Sequence, residues 1–215
     1  MPARGGPFVG TGGSAQDSAV LPVTYRRHVT VDLKNDKRLA FAVQGIFVLA
    51  GLIAVGVALL FGLPLETQWP PILTIPVTVV ACLVYMAVHE ATHGVALQLI
   101  TGMKASYSMR FPFLTTGTDA YLTRRSTVVV ALMPGVLWGT LLLLALLTVP
   151  ADFRLSAYIV LTLNFAGSAG DIVEVFVVTR QQRDALIQDD GKSVHVFLPR
   201  QSSSTTALTA AVDEN

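Results

Sequence analysis

The chain has little charge: Asp, Glu, Lys and Arg make up 13% of 215 residues, about half the share in an ordinary soluble domain. With hydrophobic residues at 52% and a mean hydropathy of +0.59, polar surface is too scarce to cover a water-soluble core. An integral membrane protein is expected. A net charge of +1, with no basic stretch interleaved with aromatics, argues against a nucleic-acid face. Cysteine is almost absent; Cys82 alone forms no intrachain disulfide, and seven residues before His89 it reads as apolar filler. Residues 1–20 hold no apolar core of a secretory signal, so the first apolar run is expected to stay in place as an anchor.

Four apolar runs reach the roughly 20 residues that a bilayer requires: about Leu39–Leu63, Ile72–Ile100, Thr127–Val149 and Leu155–Thr179. The expected fold is an α-helical membrane protein of about four transmembrane helices. Its domain covers 39–199, after a disordered and then basic juxtamembrane region (1–38) and before a disordered tail (200–215). Between Thr101 and Ser126 a short alternation from Lys104, turn residues around Thr115–Thr118 and a return to extended pattern at Ala120–Thr123 predict a small β-hairpin insert between the second and third spans. Lys192–Leu198 alternates like a strand, with His195 as one of its surface residues. Lys and Arg gather before the first span, within the insert and after the fourth span, which places the insert and both termini in the cytoplasm.

Within the second run stands His89-Glu90-Ala91-Thr92-His93. On a helix, residues four apart share a face, so both imidazoles can bind one metal ion while Glu90 serves as general base toward water. Ionisable residues cost roughly 2–3 kcal/mol each to place in a bilayer, and a cation facing them removes much of that cost. A catalytic zinc site usually needs a third protein ligand. The first and third runs hold no Asp, Glu or His; the fourth holds Asp171 and Glu174. At 1.5 Å per residue, His89 and Asp171 lie roughly 16 and 14 Å from their cytoplasmic ends and can meet in one leaflet. Asn164 shares a face with Asp171, and the strip of Gly167, Ser168 and Gly170 between them either lets the fourth helix approach the second closely, with Asn164 placed to hold substrate backbone, or is ordinary small-residue helix packing with Asn164 as polar glue. Pro134-Gly135 should free backbone groups in the third span.

The His89–His93 pentapeptide in a span, the extended insert, a Pro-Gly-bearing span and Asn164…Ser168-Ala-Gly-Asp171 together resemble the zincin peptidases of a domain family of unknown function, related to site-2 protease-type intramembrane metalloproteases. The likeness covers about Leu39–Pro199. It implies a zinc-dependent endopeptidase acting on membrane-protein or peptide substrates at the lipid bilayer, with His89, His93 and Asp171 as metal ligands and Glu90 as catalytic base. Site-2 proteases carry a proline after the asparagine and a glycine after the aspartate; here Ala166, Gly167 and Ile172 stand nearby instead. A non-catalytic metal-binding membrane scaffold is the alternative. A metal transporter would spread ionisable residues over more spans.

Overall fold

In the computed structural model, which describes residues 15–32, 35–110, 113–191 and 193–200, four segments are long and apolar enough to cross a membrane. They are α1 (Lys37–Leu60), α2 (Pro71–Thr101), α3 (Arg124–Thr148) and the 29-residue stretch made by α4 (Ala151–Gly167) and α5 (Ala169–Thr179). Local chemistry sets their ends. The Asp36 carboxylate accepts the N–H groups of Arg38 and Leu39, Pro71 opens α2 where an N–H has no helical partner, and Gly102 closes α2 at φ 69°. No residue of α1 is fully buried: Val43, Ile46, Ala50, Ala54 and Ala58 form a half-buried stripe, with the Ala54 carbonyl accepting from the Tyr158 hydroxyl of α4, while Phe41, Leu52 and Leu59 are exposed, a surface that water solvates poorly.

The fourth stretch is broken at Ser168. Its N–H and hydroxyl both donate to the carbonyl of Asn164, at 3.2 and 2.8 Å, tightening the turn before α5 begins. Asp171 sits in the first turn of α5. Close packing comes from α3 rather than from the glycines of the fourth span. A Cβ added at Gly135 would lie 2.9 Å from Ser168 Oγ, and one at Gly139 would lie 3.0 Å from Asn164 Nδ2. A Cβ added at Gly167 or Gly170 would meet no other element within 4 Å, so these two glycines are not what brings the fourth helix against the second.

The hairpin of β2 (Ser106–Arg110) and β3 (Phe113–Gly117) stands between α2 and α3. A second sheet goes beyond the hairpin and includes the strand expected at Lys192–Leu198, as β6 (Val194–Pro199). It is antiparallel, in the order β1 (Tyr25–Val31), β6, β5 (Leu186–Asp189), β4 (Leu122–Thr123). Its inner face buries Ile187, Val194 and Val196 against Val178 of α5 and Ala185. Tyr25–Val31, assigned from sequence to a juxtamembrane region, is thus an edge strand. Further upstream, Ser18 bridges Tyr121, and the Asp17 carboxylate accepts the Thr123 N–H and the Ser126 hydroxyl at the start of α3. Arg124 then donates to the carbonyls of Thr179 and Gln181, tying the start of α3 to the end of α5. Most of the N-terminal tail and all of 201–215, both expected to be disordered, lie outside the described residues.

Candidate metal centre

α2 turns His89 and His93 to one side, four residues apart, with their ring centroids 5.1 Å from each other. The break at Ser168 aims Asp171 between them. Asp171 Oδ2 lies 3.3 Å from His89 Nε2, and Oδ1 lies 3.5 Å from His93 Nε2. One donor atom from each of the three falls within 4.8 Å of the others, and among the described residues this is the one His/Cys/Asp/Glu group with that property. Neither Cys82 nor His195 takes part. His195 instead faces Thr30 on β1 and Asp190 in the β5–β6 turn.

The outer nitrogens of both rings are held by groups that fix their protons. Val130 O lies 3.0 Å from His93 Nδ1, and because a carbonyl only accepts, Nδ1 carries the proton. His89 is fixed through another carbonyl. Gly135 O accepts from Asn164 Nδ2 at 3.0 Å, so Asn164 Oδ1 faces Tyr85, whose hydroxyl donates to it at 2.6 Å. That hydroxyl is then left to accept from His89 Nδ1 at 2.8 Å. Both Nε2 atoms therefore present lone pairs to the Asp171 carboxylate, an arrangement that needs a cation or protons between them. Two imidazole nitrogens and a carboxylate are a zinc donor set, and ligands about 2.0–2.1 Å from one tetrahedral ion stand roughly 3.4 Å apart. The residues present fit zinc.

Glu90 lies beside this group. The Thr116 hydroxyl of β3 meets its carbonyl at 2.8 Å and its Oε2 at 3.2 Å, joining the hairpin to the site. Glu90, His93, Thr116, Asp171, Glu174 and Asp189 share the lining of a cavity of about 190 Å³. Glu174 does not take the place of Asp171 between the histidines; it faces the same cavity, with Asp189 of β5 as a neighbouring charge. Burial pushes the Asp189 carboxyl up to about 6, with the Gly191 N–H opposing the shift and the Asp190 charge adding to it.

Asn164, picked out from sequence to hold substrate backbone, is fully buried, and its amide is spent on Tyr85 and the Gly135 carbonyl. Tyr85, Thr116 and Asp189 were missed. Tyr85 had a signal, since it stands four residues before His89 on the same helical face. Thr116 and Asp189 reach the site only through tertiary packing of an insert and a strand.

Residues 82–186 match the model of a family described as "Putative zincin peptidase". The match supports a zincin-like family. The matched segment runs from α2 through the hairpin and α3 to the first residue of β5, and so includes both histidines, Glu90, Thr116 and Asp171. No curated protein and no solved structure matches the chain.

Proposed function

We propose that the chain is a multi-pass membrane zinc endopeptidase of the site-2 protease type, hydrolysing peptide bonds of membrane-protein substrates in or beside the bilayer. The observation that carries this reading is the convergence of His89 Nε2, His93 Nε2 and the Asp171 carboxylate, with Glu90 lining a cavity together with His93 and Asp171. His89, His93 and Asp171 would hold the zinc. Bound there, zinc supplies polarisation of the scissile carbonyl and acidification of water. Glu90 would act as the base. Its Oε2 is engaged by Thr116, which leaves Oε1 to take the proton of the attacking water and pass it to the leaving amine nitrogen. The β2–β3 hairpin would present substrate, because β2 has no second strand partner among the described residues and can offer main-chain groups to an extended peptide, while Thr116 of β3 couples that sheet to Glu90.

Four apolar spans and basic loops favour an orientation with the hairpin, the four-stranded sheet and both termini on the cytoplasmic side. Cysteine labelling at Thr67 from outside, with Ser106 protected until the membrane is permeabilised, is the expected pattern.

The testing experiment separates base from ligand. Glu90→Gln should retain zinc and abolish cleavage of a reconstituted substrate; His93→Ala should lose both. Equal zinc loss in the two variants contradicts the assignment. Full cellular function with Glu90→Gln would point to a metal-binding scaffold.

A further inference from the structure

Tyr85 and Asn164 form a relay that begins at a backbone carbonyl and ends at a ring nitrogen of a ligand. The Gly135 carbonyl fixes the Asn164 amide at 3.0 Å, Asn164 Oδ1 takes the Tyr85 proton at 2.6 Å, and the Tyr85 oxygen faces His89 Nδ1 at 2.8 Å. The three groups come from α3, α4 and α2, and Tyr85 and Asn164 are both buried, so no solvent competes for these bonds. Each bond in the series has only one workable direction once the first is set.

Resting on the metal site proposed above, we infer that Tyr85 and Asn164 are positioning residues that hold His89 as its Nδ1–H tautomer, keeping the Nε2 lone pair turned to the zinc position. They touch neither substrate nor reacting atoms. Partners on the far ring nitrogen of a metal-binding histidine typically govern metal affinity by tenfold or more. The relay also makes a directional claim. Without the Asn164 oxygen, the Tyr85 hydroxyl has no acceptor except His89 Nδ1, and in donating to it would move the ring proton to Nε2, where it blocks the ligand.

The test uses the full chain in detergent micelles with ¹⁵N-labelled histidine. There are four histidines, so His89 can be assigned by substitution of the others. In zinc-free wild type, His89 Nδ1 should carry a proton whether or not Nε2 also takes one toward Asp171. Tyr85→Phe, which removes one oxygen and keeps the ring, should give mixed tautomers and weaken zinc binding about 10–100-fold, with His93 unchanged. Asn164→Ala should shift His89 to Nε2–H and weaken zinc binding at least as far. In the Tyr85→Phe background the same Asn164→Ala change should add less than about threefold, because the two residues act as one unit. An unaltered His89 tautomer in Tyr85→Phe, or additive losses in the double variant, would overturn the inference. If Asn164→Ala does not fold, the Tyr85→Phe comparison decides alone. Should wild type bind no zinc, the proposed function falls, and the tautomer measurement on zinc-free protein still decides the relay.

Discussion

Pro134 leaves a backbone carbonyl free for His93. Having no N–H, it gives nothing to the carbonyl of Val130 one turn earlier in α3, and that carbonyl accepts from His93 Nδ1 at 3.0 Å. A proline inside a helix normally costs stability; here the freed acceptor orients a metal-ligand candidate.

Pro134→Ala should therefore act in opposite directions on stability and on metal affinity. Restoring the helical N–H should raise the thermal midpoint of the zinc-free protein and draw the Val130 carbonyl back toward its own helix. Zinc affinity should fall about tenfold, measured by competition with a chelating dye. Unchanged affinity would show that His93 does not depend on this carbonyl.

Gly117 sets the seat of the hairpin. A Cβ there would lie 2.5 Å from the backbone carbonyl carbon of Asp190 and 2.8 Å from Gly191 N, contacts that only a backbone shift can relieve. Gly117→Ala should push the end of β3 away from the β5–β6 turn and carry Thr116 off Glu90. Cleavage should drop by roughly 100-fold or more, the scale of general-base effects, with zinc per chain unchanged. Wild-type cleavage would separate the hairpin from the chemistry.

Asp189 makes stability depend on pH in an unusual sense for a carboxylate. Its value is raised to about 6, above an unfolded value of about 3.9, so between the two the folded chain holds a proton that the unfolded chain has lost. The stability of the neutral form is present at low pH and lost as pH rises through 6. At neutral pH the penalty is on the order of 1–3 kcal/mol. Asp189→Asn keeps the acceptor for the Gly191 N–H and removes the charge, so its zinc-free melting midpoint should exceed wild type at pH 8 and converge with it near pH 4. A constant difference across that range would contradict the assignment.

What the sequence showed and what it hid divide along physical lines. His89, Glu90 and His93 were legible because helical periodicity places i and i+4 together whatever the tertiary fold, and Asp171 because acids are scarce in apolar runs. The four helical stretches long and apolar enough to cross a membrane were legible from length and hydropathy, with ends shifted by a few residues. The second sheet was hidden because β1 and β6 pair across more than 160 residues, and each alternation is too short to identify its partner. Small-residue spacing on the fourth span resembled a packing strip, yet spacing does not say which neighbour a glycine faces; Gly135 and Gly139 of α3 took that role. Asn164 stood out as a polar group in an apolar run, but its partners Tyr85 and Gly135 become visible only when three helices are assembled.

The account rests on zinc held by His89, His93 and Asp171, and bound zinc per folded chain tests it most directly. Wild type should carry one zinc per chain by elemental analysis after size-exclusion chromatography. Asp171→Ala should lose most of it, because the carboxylate that faces both Nε2 atoms at 3.3 and 3.5 Å is gone. Glu174→Ala, which alters the cavity wall without touching that group, should keep it. Zinc retained by Asp171→Ala and lost by Glu174→Ala, or no zinc in wild type at all, would contradict the account.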